Sequence, residues 1–184
     1  MTNFTSSILA VVVVLGAALG TPPTFADERA RVIKTEFLMT LRAPLAVPDN
    51  INDSLSIANV AAKGGWVRGP RIRGVLIPPG GDWSRSLASG VWRLDVRLTI
   101  KTDDGALIYV SYNGIERDSA TTETKSGRGE TLGSDDVKYW IIAPTFETSA
   151  ARYSWLNELQ AVGKMVAYKD GAGGFVEYDI YGVR

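Results

Sequence analysis

Asp82 is the side chain in this sequence whose neighbours most favour proton transfer. It follows Gly80 and Gly81 and precedes Trp83. A carboxylate beside an indole can lose part of its hydration, and desolvation raises the pKa of a carboxyl group toward the range that suits general acid–base catalysis. The alternative is a structural role, in which Asp82 caps a turn through the backbone N–H groups of the residues that follow. The sequence leaves both interpretations open.

The absence of two residue types narrows the chemistry available to this chain. Its 184 residues include no cysteine and no histidine. This composition excludes a thiol nucleophile, a Ser-His-Asp triad, an imidazole base and the usual zinc sites. Proton transfer must therefore rest on Asp, Glu, Tyr, Lys or Arg, and Tyr109 and Glu147 are the candidate catalytic partners of Asp82. We predict no metal site and no cofactor.

A second group of residues has the chemistry needed to bind a planar ligand. Aromatic rings offer flat apolar faces, and polar groups beside them can orient a ligand through hydrogen bonds. The predicted ligand-binding residues are Trp83, Arg97, Asp104, Tyr153, Trp155 and Asn157. Each of these residues also has an alternative structural interpretation. Asp104 can form part of a hairpin turn, and Arg97 can form an exposed ion pair with Asp95. Trp155 and Asn157 suit helix packing and a local hydrogen bond.

Alternation of apolar and polar residues predicts strands along most of the chain. The clearest strand is 92–101, and we expect its apolar face to point inward. The motif Asp103-Asp104-Gly105 after it predicts a tight hairpin turn, and the stretch 80–83 is also turn-like. Further strands are predicted at residues 33–42, 55–62, 67–77, 106–112, 137–143, 162–169 and 175–183.

Two segments depart from the strand pattern. Residues 149–160 form the one convincing helical stretch, for which Ser149 is a candidate N-cap. Residues 116–136 are polar and rich in Ser, Thr and Gly, which predicts a long mobile loop and a candidate lid. The many short strands and the single short helix favour an all-β sandwich or barrel.

Five motifs resemble one known family. They are GPRIRG (69–74), GGDW (80–83), LDVRLTIKTDDGALIYV (94–110), APTFET (143–148) and RYSWLN (152–157). In this order and spacing they resemble the family catalogued as domain of unknown function 3237, also called uncharacterised protein family 0311. The resemblance implies a lipocalin-like fold, a single antiparallel β-barrel with one short helix. It implies no established activity, although acid–base chemistry on a phenolic or polyketide-like molecule agrees with the genes beside some members.

The N-terminal segment resembles a secretory signal peptide. Its first 26 residues carry no charged side chain, and the apolar run at 8–19 is shorter than the ~20 residues that span a bilayer. Thr24 and Ala26 place small residues at positions −3 and −1 of a cut after Ala26. We therefore predict a signal peptide at 1–26, one barrel domain at 27–184, and export to the periplasm or the medium.

The charge balance favours a small-molecule ligand over a macromolecular partner. The 20 basic and 20 acidic residues cancel, which disfavours nucleic acid and, after signal cleavage, a membrane as partners. The first hypothesis is a barrel that binds a small apolar or aromatic molecule. The alternatives are a cofactor-free acid–base enzyme and a structural or partner-binding barrel. A cavity that contains a carboxyl group of raised pKa would favour the acid–base enzyme. A cavity lined only by apolar residues would favour the small-molecule binder, and an interior filled by side chains would favour the structural barrel.

Overall fold

The computed structural model describes residues 32–184, so the predicted signal peptide and its cleavage site after Ala26 lie outside the described residues. Two helices occur among the strands: α1 Ala120–Gly127 and the 3₁₀ helix Ala151–Glu158. The strands are β1 Thr35–Pro44, β2 Asp49–Asn50, β3 Leu55–Asn59, β4 Trp66–Arg68, β5 Arg73–Ser86, β6 Val91–Thr102, β7 Leu107–Arg117, β8 Leu132–Gly133, β9 Tyr139–Glu147, β10 Ala161–Lys169 and β11 Phe175–Val183.

Eight of these strands close into an antiparallel barrel. Their order around the barrel is β1-β11-β10-β9-β7-β6-β5-β4, and β4 pairs with β1 to complete the ring. β2 and β3 extend the sheet from the second half of β5, and β8 pairs with β10. The prediction of a single antiparallel β-barrel is confirmed.

Alternation along β6 places the core inside the barrel. Leu94, Val96, Leu98 and Ile100 are all buried, whereas the residues between them are more exposed. The apolar face of the predicted strand 92–101 therefore points inward, as expected. Burial of such side chains, at ~25 cal/mol per Å², is the main force that holds a barrel without disulfide bonds together.

β5 corrects two predictions. The predicted strand 67–77 is two strands, because the chain turns back between β4 and β5, where the N–H of Gly69 donates to the carbonyl of Ile72 at 2.8 Å. The turn-like stretch 80–83 is instead part of β5. Asp82 pairs with Val96 of β6 on one side and with Ala58 of β3 on the other. Glycine indicates a turn locally, but pairing with strands on both sides overrides that tendency.

The segment 116–136, predicted to be a mobile loop, carries regular structure. It contains the end of β7, all of α1 and β8. The Ser119 hydroxyl caps α1 by accepting hydrogen bonds from the N–H groups of Thr121 and Thr122 at 3.1 and 3.2 Å. The Lys125 ammonium donates to both carboxylate oxygens of Asp136 at 2.8 Å. The loop prediction is wrong because a short polar helix lacks the apolar period that reveals helices in a sequence.

One end of the barrel is closed by the 3₁₀ helix. It occupies the place of the helix predicted at 149–160, but Ala150 rather than Ser149 is its N-cap and makes no side-chain capping bond. Tyr153 and Leu156 of this helix are buried in the core. The opposite end, where β6 begins and β7 ends, encloses a cavity whose lining includes Ala43 and Ala58 as well as large aromatic side chains.

Candidate functional site

A cavity of about 370 Å³ lies at the end of the barrel opposite the 3₁₀ helix. This volume is typical of sites for small molecules. Residues of β1, β3, β5, β6, β7, β9, β10 and β11 form its walls, and α1 contributes Thr122, Glu123 and Ser126 at its mouth. The alternation of each strand therefore decides which side chains face the cavity.

Five aromatic residues line the cavity, and four of them, which we call the aromatic wall, contact one another: Tyr112, Trp140, Tyr168 and Tyr178. The Trp140 indole N–H donates to the Tyr178 hydroxyl at 2.9 Å. The ring centroids of Tyr112 and Tyr178 are 5.9 Å apart, and those of Trp140 and Tyr168 are 5.0 Å apart. The first pair is edge-to-face and the second is tilted. Such contacts stabilise both rings of a pair, so the wall is a preformed apolar surface.

The tyrosine hydroxyls of the aromatic wall are hydrogen-bond donors. Burial raises the pKa of Tyr112, Tyr168 and Tyr178 above the ordinary value of tyrosine. The charge of Asp82 raises the pKa of Tyr112 further. These hydroxyls therefore stay protonated at neutral pH and can donate to an oxygen of a bound molecule, but they do not act as bases.

Asp82 lies on the inward side of β5 and faces the cavity. The backbone N–H of Asp95 donates to Asp82 Oδ1 at 3.1 Å. Desolvation raises the pKa of the Asp82 carboxyl, and the hydrogen bonds from Ser84 and Asp95 oppose this shift. The turn-cap interpretation fails because Asp82 is inside a strand. Its desolvation comes from the cavity lining rather than from Trp83, which does not line the cavity.

β7 carries a second carboxyl group, Glu116. The Glu116 side chain is partly buried and lines the cavity. Burial raises the pKa of Glu116 well above the ordinary value of glutamate, and the charges of Asp118 and Asp82 raise it further. Glu116 is therefore able to keep a proton at a pH where an exposed glutamate has lost it.

Asp118 follows β7 at the mouth of the cavity. Its Oδ1 is buried and has no hydrogen-bond partner among the described residues. Desolvation raises the pKa of the Asp118 carboxyl, and the charge of Glu123 on α1 raises it further. Buried polar atoms without a partner are rare in folded proteins. An atom of a ligand at the mouth can supply the missing hydrogen bond.

The lining as a whole is acidic. Among residues 32–184 it contains no lysine or arginine, and the carboxyl side chains that these residues contribute are the five of Asp82, Glu116, Asp118, Glu123 and Asp170. Between described residues, none of these five takes part in an ion pair. In the same part of the chain, no three His, Cys, Asp or Glu side chains form a group able to hold a metal ion. The arrangement suits proton transfer.

The structure does not bring Tyr109 and Glu147 to Asp82. These two residues pair across β7 and β9 on the outer surface, where Tyr109 is 38% exposed. Along β6, Tyr109 lies opposite Thr99, whereas Asp82 lies opposite Val96 and faces inward. The predicted group of Asp82, Tyr109 and Glu147 is therefore not formed, because strand alternation turns the last two away from the interior.

Trp83 and Arg97, two of the predicted ligand-binding residues, lie on the outer face of β5 and β6. Trp83 is 39% exposed, and the Arg97 guanidinium lies 5.8 Å from the centroid of its indole ring. Arg97 also donates to the Asp95 carboxylate at 2.8 Å, as expected for an exposed ion pair. Neither residue lines the cavity.

The other predicted ligand-binding residues lie at the closed end of the barrel: Asp104, Tyr153, Trp155 and Asn157. The Tyr153 hydroxyl donates to Asp104 at 3.0 Å, which joins the β6–β7 turn to the 3₁₀ helix. The Asn157 side chain accepts from the N–H of Thr148 and donates to its carbonyl, both at 2.9 Å. These contacts account for Asp104, Tyr153 and Asn157 without a ligand.

Removal of the Tyr153 hydroxyl tests whether the closed end is structural. Tyr153→Phe should lower the free energy of unfolding by about 1–2 kcal/mol, because the Asp104 carboxylate loses a hydrogen bond. Urea denaturation measures this loss. Tyr109→Phe is the matched control on the outer surface and should change stability by less than about 0.5 kcal/mol. Unchanged stability with weaker binding of a cavity ligand would contradict the structural role of Tyr153.

The sequence patterns did not predict that Glu116, Asp118 and the aromatic wall line the cavity. The signal for Glu116 was the alternation of β7, whose inward positions run from Tyr112 through Gly114 to Glu116, beyond the predicted strand end at 112. Asp118 lies past the end of the strand and has no periodic signal. The aromatic wall comes from four different strands, which only the closed barrel brings together.

The chain matches a known protein family over nearly all of its described residues. The model of DUF3237, described as a protein of unknown function, matches residues 33–183. The chain belongs to the DUF3237 family. This DUF3237 protein is 33% identical over 107 residues to a UPF0311 protein of Rhodopseudomonas palustris, across 58% of its own length and 69% of the relative. The resemblance indicated by the five motifs is confirmed.

Solved structures share the barrel of this DUF3237 protein. A conserved protein of unknown function from Rhodopseudomonas palustris matches with a TM-score of 0.72 at 26% identity, covering 83% of this chain and 98% of that one. A β-barrel-like protein from Acinetobacter baumannii matches with a TM-score of 0.63 at 30% identity, covering 90% and 99%. An enzyme from Penicillium herquei matches with a TM-score of 0.53 at 24% identity, covering 90% and 100%, and this likeness shows the fold alone.

Proposed function

We propose that this DUF3237 protein is a cofactor-free acid–base enzyme that acts on a small apolar or aromatic molecule, of the phenolic or polyketide-like kind. The observation that carries the proposal is that carboxyl groups of raised pKa face a cavity with an aromatic lining. Perturbed carboxyl groups in a cavity are typical of catalytic acids and bases. The matching reaction types are isomerisation, cyclisation and elimination, each of which removes one proton and adds another.

In the proposed reaction Asp82 is the base and Glu116 is the acid. The Asp82 carboxylate removes a proton from a carbon next to a substrate carbonyl. The electron pair of the C–H bond forms a C=C bond to the carbonyl carbon, and the π pair of the C=O bond moves to the oxygen. Glu116 donates its proton to that oxygen, which gives a neutral enol. In a substrate whose enol is conjugated with a second C=C bond, the isomerisation is completed when Asp82 returns its proton to the far carbon of that bond and Glu116 recovers the enol proton. The roles follow from the pKa values, because the more strongly raised group keeps its proton.

A binding module without turnover is the second candidate. The aromatic wall favours it, because flat apolar faces and hydroxyl donors bind a planar molecule whether or not a proton moves. A purely structural barrel has less support, since an interior filled by side chains leaves no cavity of about 370 Å³. Binding and proton transfer must therefore be measured separately.

Hydrogen–deuterium exchange on 2-tetralone, a small aromatic ketone with acidic C–H bonds, tests the proposal. In D₂O near neutral pH, NMR follows the loss of the signals from protons next to the carbonyl, and a titration of the same ketone measures its binding. We expect binding together with exchange at least about 100-fold faster than in buffer. Binding without faster exchange would support the binding module, and the absence of both would contradict both candidates.

A further inference from the structure

The acidic residues of the cavity fall into two groups along its depth. Asp82 and Glu116 belong to β5 and β7 and lie within the barrel. The other three, which we call the mouth acids, are Asp118 after the end of β7, Glu123 on α1 and Asp170 after the end of β10. The proposed proton transfer uses only the inner pair. The mouth acids have no part in it.

No ion pair between residues of the described part, 32–184, balances the negative charge of the mouth acids. Among these residues the lining of the cavity includes no lysine or arginine. Lys125 on α1 is held by Asp136, with Nζ 2.8 Å from each carboxylate oxygen. Like charges near one another raise the free energy of the ligand-free site, as the effect of Glu123 on the Asp118 carboxyl indicates. A cation at the mouth relieves this repulsion.

Two carboxyl groups support a ligand at this position independently of the charge count. Asp118 Oδ1 is buried and lacks a hydrogen-bond donor among the described residues. The Glu116 carboxyl, two residues earlier on β7, is partly buried, lines the same cavity and takes part in no ion pair between described residues. A cationic N–H group satisfies such acceptors more strongly than a neutral donor, because charge-assisted hydrogen bonds are about twice as strong.

Aromatic residues lie beside the mouth acids. Trp92 is near the start of β6 and Tyr168 is near the end of β10, and both line the cavity. The faces of such rings attract organic cations. A small inorganic ion gains little from them, whereas an amine attached to an apolar body uses both the carboxylates and the rings.

We infer that the molecule bound in this cavity carries a protonated amine, which the mouth acids hold while the aromatic wall contacts its apolar body. The inference rests on the proposed function only for the choice of site. The ligand class is therefore a molecule of the proposed aromatic or alicyclic kind that also carries an aliphatic amine, which is protonated at neutral pH. A neutral phenol of the same size should bind more weakly.

Two probes of nearly the same shape test the inference. Tryptamine carries an ammonium group, and tryptophol carries a hydroxyl at the same position. Calorimetric titration of the wild-type protein at neutral pH and low salt should give an affinity at least about 10-fold higher for tryptamine. The preference should shrink in about 0.5 M NaCl, because salt screens the exposed carboxylates. Equal affinities, or binding of neither probe at millimolar concentration, would overturn the inference.

Variants assign the preference to the mouth. Asp118→Asn should reduce the tryptamine preference severalfold and leave the tryptophol affinity unchanged. Glu123→Gln on the exposed surface of α1 should do the same to a smaller extent, and it keeps the test valid if Asp118→Asn does not fold. Asp103→Asn at the closed end is the matched control and should keep the full preference. A preference that survives both mouth variants would overturn the inference. Proton exchange on neutral 2-tetralone is measured separately, so a failure of the proposed catalysis is distinguishable from a failure of amine recognition.

Discussion

Replacing Asp82 with asparagine should slow proton exchange on 2-tetralone by roughly two to four orders of magnitude, the usual contribution of general acid–base catalysis. Asparagine has nearly the same shape, and its amide oxygen can still accept the Asp95 N–H that lies 3.1 Å from the carboxylate. An amide cannot remove a proton from carbon. The loss should therefore appear in kcat with little change in KM, and NMR rates of deuterium incorporation measure it.

Asp103→Asn is the matched control for this substitution. Asp103 is an exposed residue of the β6–β7 turn, and within the described part of the chain its one ion pair is a long contact of 3.9 Å to Arg73. The control should keep both wild-type exchange and wild-type stability. If Asp82→Asn keeps full exchange activity but melts at a lower temperature, Asp82 is a structural residue and the binding module becomes the better function.

The fold could be predicted because each strand carries its own signal. The two faces of a barrel strand meet different surroundings, so alternation such as that of β6 survives in the sequence. The sequence of a strand does not show which other strands it pairs with. The stretch 80–83 was interpreted as a turn because Gly and Pro favour turns locally. In the structure it pairs with residues of β3 that lie more than 20 positions earlier in the sequence, and with residues of β6 that lie about 15 positions later.

The candidate site could be predicted only in part, for a related reason. Asp82 was chosen because Trp83 follows it, yet the desolvation of its carboxyl comes from the cavity lining. Tyr153 and Asn157 have the same chemistry as ligand-binding residues, but they lie at the end of the barrel that the 3₁₀ helix closes. A single sequence does not show which end of a barrel is open, because closure depends on where a distant helix packs.

Glu116→Gln should make the protein more stable at neutral pH and less active. The substitution removes a carboxylate that burial and the charges of Asp118 and Asp82 disfavour. Each kcal/mol gained raises the melting temperature by about 2–4 °C in a protein of this size. The same substitution removes the proposed acid, so exchange on 2-tetralone should fall by about 100-fold or more.

The stability gain of Glu116→Gln should depend on pH in a defined direction. In the unfolded chain Glu116 loses its proton near its ordinary pKa of 4.5, whereas in the folded protein the pKa is well above this value. Between the two values the folded protein binds the additional proton, so the free energy of unfolding falls as the pH rises, by at most ~1.4 kcal/mol per pH unit. Below pH 4.5 both states are protonated and this contribution is fully present.

Melting curves of wild type and Glu116→Gln from about pH 4 to 8 measure this difference. The two proteins should be closest in stability at the acidic end, and the variant should gain on the wild type as the pH rises, because glutamine has no proton to lose. Glu147→Gln is the matched control: Glu147 is exposed on β9, outside the cavity, so its variant should follow the wild-type curve at every pH.

A constant difference between wild type and Glu116→Gln across this range would show that the Glu116 carboxyl is hydrated in the folded protein. It would then be no better an acid than a surface glutamate, and the assignment of Glu116 as proton donor would fail even if Asp82 proves to be the base.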